Sequence, residues 1–464
     1  MGMRGLNSRS NKIAAVFLTF MLALLLLLIM SGCRISDPGI QAIKGLAGEK
    51  TAHQNPTTIQ FWFSIGGDFQ RDFQKYVIDE FEKANPDIKV KMSFAEETGK
   101  THVSDKLLTA IAAGNAPDVA TFDRFAIGSW AAKGAIDDIT DLIQRDGIDP
   151  NDYYRSVWEE TNYKGKVYAL PFLVDTRAMY YNKTLMEKAG FDPNKPPTTM
   201  EELDRMAEKM FLKNRNGKYE QVGFLPWMGQ GSLFTHGVNF GASFMTNGEF
   251  DPTEPQVVKA LQWMAAYAKK YDISSLNGFS ESLAQYEMEP FWTGKVGFEF
   301  QTNWILSGAQ QNKPDFEWGV ALMPSESGSP SLSWIGGNAL IIPHGAKNRE
   351  AAWRFIKFVA LKEGNLLWTR RPNGKGLITS MPAVNEQLKL REDPNIKVFL
   401  DLLTTAKIRP VSPVASFYWA EMYRVRDLAL NGKGVPDALL KEAKKNMDAE
   451  LAKILKYEQN SASQ

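Results

Sequence analysis

The chain has 464 residues, with 54 Lys plus Arg against 53 Asp plus Glu and a formal charge of +1. Arg4, Arg9 and Lys12 account for three of the 54, and setting them aside leaves 51 against 53, a balance that implies no nucleic-acid partner. The only cysteine is Cys33, so no internal disulfide can form; about 430 mature residues must hold through their cores alone, most simply as two domains.

Those three basic residues precede a block at residues 13–30 that is apolar but for Thr19, which is the layout of an export signal. The block is also long enough to cross a bilayer as one helix, so an uncleaved anchor remains an alternative, as does an ordinary signal with a chance cysteine. Met30-Ser31-Gly32-Cys33 resembles the lipobox of bacterial lipoproteins, with Met30 where Leu is usual. That resemblance implies removal of residues 1–32 and lipidation of Cys33. Each acyl methylene buried in a membrane contributes about 0.8 kcal/mol, so several chains on one residue hold a protein at the surface almost irreversibly. Residues 33–56 are polar, contain Gly and Ala, and read as a tether.

From Thr57 the pattern becomes that of a folded domain. "TTIQFWFS" is rich in β-formers; Phe69, Phe73, Val77 and Phe81 then recur every four residues, predicting a helix that stops at Asn85-Pro86. "IKVKMSFA" alternates apolar and polar residues as a strand does. A helix carrying Val103, Leu107 and Ile111 ends at "GNAP", and "DVATF" is a short strand. This alternation predicts a parallel sheet with helices on both faces and a ligand at the carboxyl ends of its strands.

"GKVYALPFLVDTRAMYYNKTLMEKAGF" reads as a turn, two extended segments and a helix ending near Gly190. Three further amphipathic helices follow. The one in "PQVVKALQWMAAYAKKYD" presents Val258, Leu261, Ala265 and Ala268; "REAAWRFIKFVALKEG" is the second; the last carries Leu440, Ala443, Met447, Leu451 and Ile454. "TGKVGFEFQTNW" is a glycine turn feeding a strand that ends at Trp304. No fixed-period repeat interrupts this order.

Several of these stretches, "FEKANPDIKV", "AAGNAPDVATFDRF", "GKVYALPFLVDTRAMYYNKTLMEKAG", "PTTMEELDRMAEKM", "TGKVGFEFQTNW" and "NREAAWRFIKFVALKEG", resemble in sequence and order the extracellular solute-binding proteins of ABC importers, specifically the carbohydrate-binding group that includes maltose-binding proteins. The resemblance implies an α/β, periplasmic-binding-protein-like fold, two α/β lobes with a ligand cleft between them joined by a hinge. One lobe is expected from residues 57–168 plus 336–378 and the other from 169–335 plus 379–464. It further implies a monomer that captures a mono- or oligosaccharide and delivers it to permease subunits served by a cytoplasmic ATPase, anchored by lipid on Cys33 to the outer face of the membrane, as in a Gram-positive bacterium.

A saccharide offers hydroxyls and an apolar C–H face, so its site needs carboxylates, amides and guanidiniums at the rim and flat rings against the face. By position in the family pattern, Asp123 and Arg124 form an Asp-Arg pair after a strand, Asp175 is an acidic ligand residue with Arg177 beside it, and Trp304 stacks on the sugar. Trp62, Trp227, Asn303, Trp334, Tyr418 and Trp419 complete the expected set. Ala120 stands where some maltose binders have an aromatic, and Met422 where they have an arginine, which speaks against maltodextrin rather than against a sugar.

Rival chemistries find little support. A carbohydrate-active enzyme would need a catalytic carboxylate pair in a recognisable setting, and none stands out. No G-x-S-x-G occurs. His53, His102, His236 and His344 are isolated, so no zinc spacing exists and no metal or cofactor is expected. Tyr180-Tyr181 resembles the paired tyrosines of ferric-ion binders and keeps iron or another solute as the alternative cargo.

Overall fold

The strand expected at the start of the folded region is β1 (Thr57–Phe63), and its alternation decides how it is buried: Ile59, Phe61 and Phe63 enter one core while Gln60 and Trp62 face the other side of the sheet. In this computed structural model the described residues are 55–66, 68–94, 105–246, 249–328, 333–372 and 374–462. The export signal, Cys33, nearly all of the tether, Val103, His53 and His102 lie outside them.

β1 leads into a helical segment built from Asp68–Phe73, a π turn at Gln74–Ile78, and Asp79–Ala84. The sequence spacing explains the π turn. Apolar residues every four positions run ahead of a helix with 3.6 residues per turn, and one wider turn absorbs the excess, leaving Phe73, Val77 and Phe81 all fully buried. β2 (Ile88–Phe94) then pairs parallel with β1, the helix Asp105–Ala112 follows, and β3 (Val119–Asp123) pairs parallel on the other side of β1.

Two more strands complete this sheet: β4 (Ala169–Pro171) and β10 (Asn338–Ile341), giving the order β2-β1-β3-β10-β4. β10 runs antiparallel to both β3 and β4, so the sheet is mixed rather than purely parallel. The reason is connectivity, because β10 re-enters from the far end after the chain has built its second region. β4 also carries the sheet to residue 171, three beyond the boundary expected from sequence. One face packs on the helix Arg349–Ala360 through contacts such as Phe61 to Phe355, with ring centroids 5.1 Å apart; the other packs through Phe122 of β3 on Trp130 of the helix Ile127–Ala131, 4.6 Å apart.

The second region is organised around three antiparallel strands in the order β7-β6-β8, with β6 at Arg177–Asn182, β7 at Phe298–Thr302 and β8 at Trp318–Ala321. Its principal core gathers Met179, Phe298 and Phe300 with the helices Met200–Glu208, Leu233–Asn239, Pro255–Lys270, Ala415–Leu430 and Pro436–Ala462. Thr199 and Glu202 close a full capping box on the first of these, worth about 1 kcal/mol at such an N-terminus. In Pro255–Lys270 the buried stripe is Val257, Leu261, Met264 and Ala268; Val258 and Ala265 sit at its margin, because the helix is rotated by one residue from the face read from sequence. Leu440, Ala443 and Met447 of the last helix are fully buried as expected.

Short strands link the two regions: β5 (Leu173–Val174) pairs with β11 (Ile378–Thr379), and β9 (Trp334–Ile335) runs parallel to β12 (Lys407–Ile408). The chain therefore passes between the regions near residues 171–177, 333–338 and 374–381. This is the two-lobed α/β architecture, and five of the candidate residues, Asp123, Asp175, Arg177, Trp334 and Trp419, come together near its crossings. Among the described residues no helix is long and apolar enough to span a membrane.

Candidate ligand-binding site

β3 ends on Asp123, which sits 8% exposed and caps the 3-10 turn Arg124–Ala126 by accepting from the Phe125 N–H at 3.0 Å. Its carboxylate also receives both terminal nitrogens of Arg409, at 2.6 and 3.2 Å. Arg409 arrives there because β12 runs beside β9 in the register Trp334–Lys407 and Ile335–Ile408. Its guanidinium lies 4.4 Å from the Phe125 ring centroid, 4.8 Å from Trp334 and 5.3 Å from Trp419. Burial opposes the positive charge, but Asp123 and Glu160 more than offset that and keep the Arg409 ionisation above its ordinary value.

Trp334 passes the cluster on. The Arg177 guanidinium stands 3.2 Å from the Trp334 ring centroid and is held by the Asp175 carboxylate, while its Nη2 and Nε both donate to Gln230 Oε1, at 3.0 and 3.2 Å. Burial pushes Arg177 down to about 10, against the pull of Asp175, so it stays charged at neutral pH. The Trp334 Nε1–H donates to Thr235 Oγ1 at 3.1 Å, which donates in turn to the Gln230 carbonyl at 2.7 Å. The result is a continuous series: Asp123, Arg409, Trp334, Arg177, Asp175, with Trp419 and Phe125 against Arg409.

The two glycines of "SWIGGN" are required by this packing. A Cβ on Gly336 would lie 2.6 Å from both Arg177 Nη1 and Asp175 Oδ1; one on Gly337, whose φ is +125°, would meet the Leu173 carbonyl at 2.2 Å. Backbone bonds between Asp175 and Gly336 in both directions, at 3.1 and 2.9 Å, tie the two crossing segments together.

Arg124, expected beside Asp123 at the ligand, points the other way. Its Nε donates to Glu160 at 3.0 Å, and its terminal nitrogens reach the carbonyls of Leu173 and Gly336 at 2.6 Å each and of Asn338 at 3.4 Å. The Arg124 and Glu160 side chains are both 0% exposed. Burial raises the Glu160 ionisation while Arg124 opposes it. This residue pins the crossings rather than offering a free donor.

The remaining expected residues divide by environment. Asn303 is fully buried, accepting from the Thr176 N–H at 3.3 Å and donating to the Gly376 carbonyl at 2.6 Å, so both ends of its amide are spent on backbone. Trp304 is half-buried with its ring centroid 6.3 Å from Phe69, and its buried Nε1–H has no hydrogen-bond partner. Tyr418 stacks on Phe250 at 4.6 Å inside the second core, away from the cluster, while Trp419 on the next helical step faces Trp334 at 5.7 Å. Trp62 is half-buried under Lys106, whose Nζ lies 4.9 Å over its ring. Trp227 is half-buried at the foot of the Gly229–Gly231 turn, near Tyr267. The structure thus brings together Asp123, Asp175, Arg177, Trp334 and Trp419. It adds Arg409, Gln230, Thr235 and Phe125, for which the sequence carried no local signal. Tyr180 is fully buried and its hydroxyl donates to the Thr302 carbonyl at 2.9 Å. Among the described residues no group of three or more His, Cys, Asp or Glu could hold a metal ion.

Carboxylates, guanidiniums and an amide interleaved with aromatic rings, here Trp334, Trp419 and Phe125, all buried, are groups of the kind that grip a polyhydroxylated solute without reacting with it. Relatives with this architecture exist. The solved structure of CpMnBP1 with mannobiose bound is 28% identical, with a TM-score of 0.76 over 84% of this chain and 99% of that one. An ABC transporter solute-binding protein of Thermotoga lettingae, bound with alpha-D-tagatose, has the same fold at 23% identity and a TM-score of 0.71, covering 85% of this chain and 100% of that one. The sn-glycerol-3-phosphate-binding periplasmic protein UgpB of Escherichia coli K12 is 26% identical over 339 residues, 68% of this chain and 74% of that protein. The profile of the family described as bacterial extracellular solute-binding protein matches residues 66–366, and the chain belongs to that family.

Proposed function

We propose that this protein is the substrate-binding lipoprotein of a bacterial ABC importer and that it captures a mono- or oligosaccharide between its two lobes without catalysing a reaction. The observation that carries this reading is the Asp123–Arg409–Trp334–Arg177–Asp175 series at the chain crossings, where ring faces and charged hydrogen-bonding groups alternate. Asp123, Asp175, Arg177, Trp334, Trp419 and Arg409 are the ligand groups of this proposal, with the half-buried Trp304 ring as a further stacking face. The two lobes would be residues 57–171 plus 336–378, and 172–335 plus 379–462.

Charge separates a sugar from a phosphate ester. Arg124, Arg177 and Arg409 are matched one for one by Glu160, Asp175 and Asp123, which leaves no surplus positive charge for a dianion. A neutral saccharide therefore fits better than sn-glycerol 3-phosphate. Cys33 would carry the lipid that keeps the monomer on the outer face of the membrane beside its permease. A thermal-shift and calorimetric screen of the full chain with mannobiose, maltotriose, tagatose and sn-glycerol 3-phosphate tests the reading, because a ligand bound only by the folded state raises the melting point. Stabilisation by a saccharide is expected. Stabilisation by the phosphate ester or by ferric ion alone would overturn it.

A further inference from the structure

Along β7 the side chains alternate, so Phe298 and Phe300 enter the second core while Glu299 and Gln301 face the opposite side of the sheet, next to Tyr180 across the register. An acid is costly in that position. Glu299 is 1% exposed and neither of its carboxyl oxygens meets a hydrogen-bond donor at bonding geometry. The charged group acting on it is Glu289, whose Oε1 accepts from Gln301 Nε2 at 2.5 Å. The other groups facing the pair are the Tyr180 phenol and the Phe291 backbone N–H; Asp393, paired with Lys375 at 3.0 Å, acts on Tyr180. Among the described residues no lysine, arginine or histidine forms an ion pair with either glutamate. Two adjoining carboxylates shielded from water do not both ionise; one retained proton turns mutual repulsion into a hydrogen bond.

The pair has a roof that belongs to the ligand site. Gly229, with φ +58°, is so close that a Cβ there would lie 2.6 Å from Glu299 Oε1 and 3.0 Å from Gln301 Nε2. The next residue, Gln230, donates its N–H to the Phe300 carbonyl at 2.9 Å and receives Arg177 on its side-chain oxygen.

We propose that Glu289 and Glu299 share one proton and act as positioning residues: the singly protonated pair seats the Gly229–Gln230 turn, and Gln230 then orients Arg177 on Trp334 for the ligand. The role given to Arg177 rests on the site proposed above. Loss of the proton places a second negative charge beneath the turn, lifts it, and frees Gln230 from Arg177.

Burial, reinforced by the charge of Glu289, raises Glu299 well above the ordinary glutamate range. The folded chain therefore keeps a proton that the unfolded chain has released, and stability falls as pH rises above the ordinary glutamate value until the folded pair ionises. One proton changes the unfolding equilibrium constant by about tenfold per pH unit in that window. The test is urea unfolding of the full chain, Glu299→Gln and Glu289→Gln between about pH 6 and about pH 8.5, with hydrogen exchange read at the Gly229–Gly231 amides. The unsubstituted chain is expected to lose about tenfold per unit relative to Glu299→Gln until the folded pair ionises, and to lose amide protection at the turn as that ionisation occurs. Parallel pH profiles for the chain and both variants would overturn the proposal. So would stabilisation of the unsubstituted chain, but not of Glu299→Gln, by calcium or magnesium alone, which would make the pair a cation site. Neither readout uses a ligand, so failure of the saccharide screen leaves this test standing. If mannobiose binds, its dissociation constant should rise with pH in the unsubstituted chain and stay level in Glu299→Gln.

Discussion

Replacing Arg124 by Met keeps most of the side-chain volume and deletes the guanidinium, which separates a hinge pin from a ligand residue. The change strands Glu160 at 0% exposure without its cation and removes the donor from the Leu173 and Gly336 carbonyls. Breaking a buried ion pair by removing one partner costs about 3–5 kcal/mol. Roughly 400 folded residues at about 2.1 cal/mol/K each give an unfolding entropy near 0.8 kcal/mol/K, so the melting point should fall by about 4–6 °C. Adding Glu160→Gln removes the stranded charge, and the double variant should melt above Arg124→Met alone. Calorimetric titration with mannobiose should meanwhile show less than about a threefold loss of affinity, since each of the three guanidinium nitrogens is already spent on a fixed protein group. A melting point unchanged within about 1 °C, together with an affinity loss of about tenfold or more, would refute the pin and return Arg124 to the ligand.

Gly336→Ala places a methyl 2.6 Å from Arg177 Nη1 and Asp175 Oδ1, two flexible ends that can yield, so saccharide affinity measured by calorimetry should fall about tenfold while the melting point moves by less than about 2 °C. Trp304→Ala should likewise weaken saccharide binding about tenfold without unfolding the domain, and an unchanged calorimetric affinity would take Trp304 out of the site. His236 is fully buried, and burial pushes it down to about 4. It is therefore neutral when folded and charged when unfolded between about pH 6.5 and about pH 4; stability present above that window is lost as pH falls through it, by at most about 3 kcal/mol, and acid titration of His236→Gln should lack that loss. Cys33→Ser should move the protein from the membrane fraction to the medium, as immunoblots of fractionated cells would show.

What could be read from the sequence was what depends on neighbours in the chain. β1 to β3 and their helices follow from periodicity, and even the π turn at Gln74–Ile78 is implicit in a four-residue repeat that an ordinary helix cannot keep on one side. Asp123, Asp175 and Arg177 could be singled out because they match positions in a recognisable family order, and the structure brings them into one cluster. Arg409 and Gln230 could not be, since each gains its role from a partner far away in the chain: Arg409 bonds Asp123 across 286 residues and Gln230 bonds Arg177 across 53. Tyr418 and Trp419 could not be told apart by type. Adjacent residues on a helix point about 100° apart, so only one can reach the cluster, and it is Trp419. Arg124 carries the sharpest lesson, because sequence order placed it beside Asp123 while the chain turns from β3 into the 3-10 turn between them, and Arg124 spends its guanidinium on Glu160 and the Leu173 and Gly336 carbonyls.

The proposed site and the chain crossings share atoms, and that bears on how tightly a solute would be held. Gly336 gives its carbonyl to Arg124 and its backbone to Asp175, so a movement of the crossing displaces the Asp175–Arg177 pair at the same time. Lobe opening and loss of ligand contacts are then one event, as linkage requires when a ligand binds one state better than the other. The same groups are already paired among themselves: a sugar hydroxyl entering the cluster must replace a charge-assisted bond such as Arg409 to Asp123 rather than fill an unmet one. Net affinity is the difference between those bonds plus what the ring faces add, which points to micromolar binding, about −8 kcal/mol, and not to the nanomolar range. A carrier built this way releases its cargo when the crossing moves, because reopening restores the bonds the ligand had displaced.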